Sequence, residues 1–115
     1  MFRRLLFPLR CHRGRLTLSE ALKDKDLLIV DVRSPEEVAA GGSCPGALNI
    51  PLPAIPNSIN QLGSDKSRPV ITYCARGIRA ADATSFLKSI GYSNSFSTID
   101  GNSVQKLLES ATKPS

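Results

Sequence analysis

Val70-Ile71-Thr72-Tyr73 is a β-branched, apolar run that ends on Cys74, and a short loop containing Gly77 leads straight into a different periodicity. Beyond Arg79, the residues Ala83, Phe86, Leu87 and Ile90 recur at i, i+3, i+4 and i+7, which is one face of a helix. Gly91 stands where a helix C-terminal cap belongs. A change from strand to helix across so short a loop leaves few options. The spacing places Cys74 at the C-terminal end of a buried strand, facing the N-terminus of the next helix.

The rest of the chain repeats the same alternation. Leu16-Thr17-Leu18 reads as a short strand, and Ser19 to Lys23 as a brief helix with Ser19 as cap. Leu27 to Val32 is a nearly continuous apolar run, the pattern of a buried parallel strand. Ser34-Pro35-Glu36-Glu37 opens a helix with a serine cap, a proline at the first position and acids in the first turn. Gly41-Gly42 closes it. Ala47 to Ile50 reads as a third strand, Ile55 to Leu62 as a short helix, and Gly63 to Pro69 as a polar loop. Ser95 to Ile99 predicts another strand. A last helix carries Val104, Leu107, Leu108 and Ala111 on one face, capped by Asp100 or Asn102. Alternation at this spacing predicts an α/β domain, a central parallel sheet with helices on both faces. In such sheets ligands bind beyond the carboxyl ends of the strands, where Cys74 is expected.

The loop after Cys74 has a chemical consequence. A free thiol has a pKa of about 8.5, so only a small fraction is nucleophilic thiolate at neutral pH. Unpaired N–H groups at a helix start carry partial positive charge, and Arg76 and Arg79 flank the same loop. One guanidinium at about 4 Å, at an effective dielectric of about 20, stabilises a thiolate by roughly 4 kcal/mol before solvent screening. Most cysteines are instead inert, buried and small. Strand, cysteine, glycine loop, two arginines and helix in one run favour the reactive reading for Cys74. Asp31 and Arg33 end the strand from Leu27 and can approach that loop. Their expected work is structural, with Arg33 pairing Glu36 or Glu37, and Asn49 is read as a turn-bonding residue.

The chain has 115 residues, room for one domain and one core. No apolar stretch approaches the ~18 residues that span a bilayer, so no membrane role is expected. Three cysteines leave at least one unpaired, which argues against a disulfide framework. The net charge of +5 equals the five arginines at positions 3, 4, 10, 13 and 15, where no acid occurs. The remaining basic and acidic residues cancel, and nothing there marks a nucleic-acid footprint. Residues 1–15 therefore read as a basic leader, residues 16–111 as the domain and 112–115 as a tail. Phe2, Leu5, Leu6 and Leu9 at helical spacing among arginines fit a mitochondrial presequence, with a cytoplasmic location as the alternative. Cys11 and His12 lie in that leader without a second ligand pair, so no metal site is expected.

Cys74-Ala75-Arg76-Gly77-Ile78-Arg79 resembles the active-site loop C-x-x-G-x-R of the rhodanese (thiosulfate sulfurtransferase) family, in its single-domain form. Leu28 to Arg33 and Pro45-Gly46-Ala47-Leu48-Asn49-Ile50-Pro51 resemble that family's two other signatures, in the same order. The resemblance implies sulfane sulfur transfer from thiosulfate or a similar small anionic donor through a persulfide on Cys74. The acceptor it implies is cyanide, a thiol or a protein cysteine, and no metal or organic cofactor is implied. Ala75, Arg76, Gly77, Ile78 and Arg79 would bind substrate, the N–H groups holding thiolate and persulfide and the two arginines drawing the donor. Gly42-Ser43-Cys44 stands where the family usually has Gly-His-Ile, and Gly101-Asn102 where it has Gly-Gly. Three other readings remain: a persulfide carrier for a protein acceptor, a non-enzymatic binding module, and a cysteine phosphatase. A phosphatase loop resembles C-x5-R, one residue longer than the loop here.

Overall fold

The computed structural model describes residues 13–112; the expected leader up to His12, including Cys11, and residues 113–115 lie outside them. In chain order the elements are α1 (Leu18–Leu22), β1 (Leu28–Asp31), α2 (Pro35–Gly41) and β2 (Leu48–Asn49). Two 3₁₀ segments follow, Leu52–Asn57 and Ile59–Gln61, then β3 (Val70–Tyr73), α3 (Ile78–Ser89), β4 (Ser95–Ser97) and α4 (Gly101–Thr112). The four strands form one parallel sheet in the order β2-β1-β3-β4. The chain leaves β1 toward one edge and returns beside it as β3 to build toward the other. The switch point therefore falls between β1 and β3, whose carboxyl ends carry Asp31 and Cys74.

Alternate strand residues supply two cores. Val30, Val32 and Val70 pack with Ala80, Ala83 and Leu87 of α3 and with Ile50, Ile55 and Leu62 on one face. Ile29, Ile71 and Tyr73 pack with Leu22 of α1 and Val104, Leu107 and Leu108 of α4 on the other. Helices thus cover both faces of a parallel sheet, as the alternation predicts. Leu87 is 1% exposed, and burial of such a side chain contributes about 1.5–3 kcal/mol. Thr72, a polar residue in the middle of β3, fixes how α3 sits. Its hydroxyl donates to the Ala80 carbonyl at 3.0 Å and lies 3.0 Å from the Thr84 hydroxyl. That pairing sets the first turn of α3 directly over the end of β3.

Several element boundaries differ from the sequence reading, each for a local reason. Leu16–Leu18 is not a strand, because Thr17 caps α1 in a reciprocal box with Glu20, so Ser19 lies inside the helix. The Leu16 N–H is satisfied by the Asn94 side chain at 2.8 Å instead of by a strand. Residues 52–61 form two 3₁₀ segments rather than one helix, since Pro53 and Pro56 remove donors that an α-helix needs. Asp100 is the cap of α4, accepting from the Ser103 N–H at 2.9 Å. Strand β4 stops at Ser97; Thr98 still donates to the Thr72 carbonyl before the chain leaves the sheet. Asn49 bonds the Asp31 and Arg33 carbonyls at 2.9 and 3.0 Å, the turn-bonding role expected of it. No helix among the described residues is long and apolar enough to cross a membrane.

Within the expected 1–15 leader, Arg13 and Gly14 are tied to the domain. The Arg13 guanidinium reaches Asp24 at 2.6 Å, Asp65 at 2.8 Å and Asp26. Asn94, 1% exposed, donates to the Gly14 carbonyl and closes the same strap. Three carboxylates gathered around one cation repel each other once it is removed. Replacing Arg13 with Ala should therefore lower stability by about 1–2 kcal/mol in chemical denaturation. Arg15→Ala, at an exposed position of the same segment, should change it by less than about 0.5 kcal/mol. Equal effects of the two would mean that the strap adds nothing.

Candidate active site

Cys74 follows β3 directly and is 2% exposed at the edge of one core, yet its sulfur also meets backbone N–H donors. The loop folds back so that the Gly77 N–H donates to Cys74 Sγ at 3.0 Å. Burial pushes the Cys74 thiol up, but the backbone N–H groups of Ala80, Arg76, Gly77 and Arg79 outweigh it, and its pKa lies below the usual value. These are the free N–H groups of the loop and of the first turn of α3, which have no helical partner of their own. Gly77 makes the turn possible. Its φ is +96°, in the region that disfavours side chains, and a Cβ there would stand 3.5 Å from Ile99 Cα.

The two arginines of the loop have different surroundings. Arg79 forms a fork with Glu37, Nη1 to Oε1 at 2.7 Å and Nη2 to Oε2 at 3.0 Å. Glu37 is also the capping-box partner of Ser34 at the start of α2, so Arg79 ties the Cys74 loop to that helix. The same guanidinium lowers the Glu37 pKa to about 2. Arg79 acts on the thiolate through space while its donors are held by Glu37. Arg76 is exposed and has no carboxylate partner among the described residues.

Asp31 and Arg33 form a second pair at the end of β1. Asp31 is fully buried, and Arg33 donates to it from its backbone N–H and from Nε at 3.0 Å, and from Nη2 at 2.7 Å. Burial acts to raise the Asp31 pKa, but the Arg33 bonds prevail and hold it below the ordinary carboxylate value. Arg33 also donates to the Gly42 carbonyl at 2.6 Å, fixing the loop before β2, and its cation lies 5.8 Å from the Tyr73 ring centroid. The expected pairing of Arg33 with Glu36 or Glu37 does not occur. A fully buried carboxylate two residues away needs a counter-ion, while Glu37 is turned toward Arg79.

Two cavities of similar size meet at Cys74 and Ala75. One, of about 440 Å³, is lined by Arg33, Ser43, Cys44, Tyr73, Asp100, Asn102 and Gln105. The other, of about 450 Å³, is lined by Glu37, Arg76, Ile78 and Arg79. Ala75, Arg76, Ile78 and Arg79 of the loop line the second cavity beside Cys74, and Gly77 reaches the sulfur through its N–H. Ala80 was not foreseen, although its N–H, as part of the helix's first turn, is a foreseeable donor. Glu37 is expected as a first-turn acid or a partner of Arg33, and the Ser34-x-x-Glu37 spacing gives no sign of its bond to Arg79. Tyr73 was also missed. Its hydroxyl accepts from the Cys44 N–H at 2.8 Å, and Gly101, where a Cβ would come within 3.2 Å of the ring, lets α4 close over it. Cys44 itself is 5% exposed, and burial and the nearby Asp31 charge raise its pKa.

The family model described as Rhodanese-like domain matches residues 16–105. A sulfurtransferase of Allochromatium vinosum is 39% identical over 77 residues, covering 66% of this chain and 69% of that protein. A tRNA uridine(34) hydroxylase of Prochlorococcus marinus is 33% identical over 102 residues, 83% of this chain but 32% of that longer protein. Among solved structures, a rhodanese with anions from E. coli superposes with a TM-score of 0.59 at 28% identity, covering 66% of this chain and 88% of that one. The three signatures, the parallel sheet and the cysteine loop at its switch point all agree with that match, and the chain belongs to the family of rhodanese-like domains.

Proposed function

We propose that the protein transfers sulfane sulfur from thiosulfate, or a similar small anion, to a thiophilic acceptor through a persulfide on Cys74. The observation that carries this reading is the set of N–H groups aimed at a buried sulfur. They favour a negative charge on that atom. The Cys74 thiolate attacks the outer sulfur of the donor, the donor's S–S bond breaks, and sulfite leaves with the electron pair. The persulfide anion keeps the same N–H donors. Cyanide, a thiol or a protein cysteine then attacks the outer sulfur, and Cys74 leaves as thiolate. Two covalent half-reactions of this kind give ping-pong kinetics. Arg76, the guanidinium at the site without a carboxylate partner among the described residues, draws the anionic donor in; Arg79 orients the loop through Glu37. Asp31 and Arg33 hold the floor of the site and take no part in the covalent steps. The loop has four residues between Cys74 and Arg79, so its ring of donors suits one added sulfur better than a tetrahedral phosphate.

Incubation of the purified protein with thiosulfate should add one sulfur atom to its intact mass. Cys74→Ser should abolish that gain, while Cys44→Ser should retain most of it, because its thiol is held neutral. Equal loss in both variants would replace the single-cysteine mechanism by a relay between two thiols.

The Arg79–Glu37 fork gives a second test. The Glu37 pKa falls on folding, so the fork stabilises the native state fully above the unfolded carboxylate value of about 4.3. That contribution is lost as pH falls toward about 2. Glu37→Gln should therefore be less stable than the parent at pH 7, and the gap should narrow between about pH 5 and 2. Freeing Arg79 should also lower kcat by several-fold through a looser loop. A stability gap independent of pH would show that the fork is not the source.

A further inference from the structure

Two large apolar residues stand out at the surface among the described residues: Ile78, 72% exposed, and Ile99, 59% exposed. They lie far apart in sequence and close in space. Ile78 opens α3 and lines the cavity shared by Cys74 and Arg76, while Ile99 packs on Gly77 between them. Both therefore border the mouth of the cysteine loop. Neither contributes to the two cores. Beside them Arg76 projects a charge that no described carboxylate meets, whereas Arg33 and Arg79 are each bonded to one. An apolar rim with one unmatched cation is a poor fit for cyanide or a small polar thiol, which can cover neither isoleucine. It matches a polypeptide segment that carries apolar and acidic side chains.

Resting on the proposed sulfur transfer, we infer that the persulfide acceptor is a cysteine of another protein, flanked by an apolar residue and a carboxylate, docked on Ile78, Ile99 and Arg76. A thiol 2% exposed is out of reach of a docked protein. The persulfide extends it by one bond, so the outer sulfur is the atom presented. The partner's thiolate attacks that atom, the S–S bond at Cys74 breaks, and Cys74 leaves as a thiolate onto its N–H donors. The partner keeps the persulfide, and no oxidant or reductant is consumed. Because the sulfite has already departed, Arg76 serves the donor first and the partner's carboxylate afterwards.

The test uses the full chain, loaded with thiosulfate and freed of excess donor, with loading read first by intact mass. Failure to load contradicts the persulfide reading, and this inference with it, before any acceptor is added. The loaded protein is then mixed with glutathione or with one of two short reduced peptides of equal length, each holding one central cysteine. One peptide carries Leu and Glu beside the cysteine, the other Ser and Lys. The Leu/Glu peptide should discharge the persulfide about tenfold faster than either alternative at equal thiolate concentration. Salt should narrow that advantage, since part of it comes from an exposed charge pair. Ile99→Asn, at an exposed position outside the covalent chemistry, should load at the parent rate and lose most of the peptide preference. Equal rates for all three acceptors, or a preference unchanged by Ile99→Asn, would overturn docking while leaving sulfur transfer intact. Passage of sulfur to an unloaded second copy of the chain as fast as to the Leu/Glu peptide would overturn the assignment to a different protein.

Discussion

A sulfur anion removed from water survives only where other donors replace the solvent it has lost. At Cys74 those donors are backbone N–H groups of the loop and the first turn of α3. Backbone donors cannot be re-aimed one by one; they are set by the path of the chain. The left-handed turn at Gly77 provides that path, and the Thr72 bonds to Ala80 and Thr84 fix the helix that continues it. The parallel sheet enters for the same reason. Strands that all point one way put the end of β3, the end of β1 and the start of α3 at a single edge.

Charge at this edge is arranged by pairing. Arg33 neutralises the buried Asp31, and Arg79 is held by Glu37, so two of three guanidiniums near the cysteine serve geometry first. A buried carboxylate without its arginine would be costly, which makes the Asp31–Arg33 pair a condition of the fold more than a source of stability. The third cation, Arg76, is left to solvent beside Ile78. The Arg79–Glu37 pair ties the Cys74 loop to α2, while Arg76 stays exposed on its outer side. Cys44 lies on the cavity wall, where burial and the Asp31 charge raise its pKa, the opposite direction from Cys74.

The architecture was readable because each strand and helix carries its own period. Leu28–Asp31 and Val70–Tyr73 are buried runs, and Ala83, Phe86, Leu87 and Ile90 mark the inner face of α3. Short elements were read less well. Thr17 and Glu20 compete with the strand propensity of Leu16–Leu18 and win by closing a capping box. The cysteine loop could be located from the glycine and the change of period. The partners of its arginines could not, because Glu37 and Arg79 are 42 residues apart and nothing local links them. The same holds for Tyr73 and Cys44, joined across 29 residues. Side-chain pairing across a fold depends on which elements become neighbours, and that is decided by packing of the whole sheet.

The most direct measurement is the ionisation of Cys74 itself, taken as the ultraviolet thiolate absorbance of the native protein minus that of Cys74→Ser across a pH series. If backbone donors hold the charge, Cys74 should titrate clearly below the free-thiol value of about 8.5. The thiol should also react with an alkylating agent at pH values where Cys44 remains silent. A Cys74 thiol that titrates at or above about 8.5 would contradict the N–H cradle as the basis of the site.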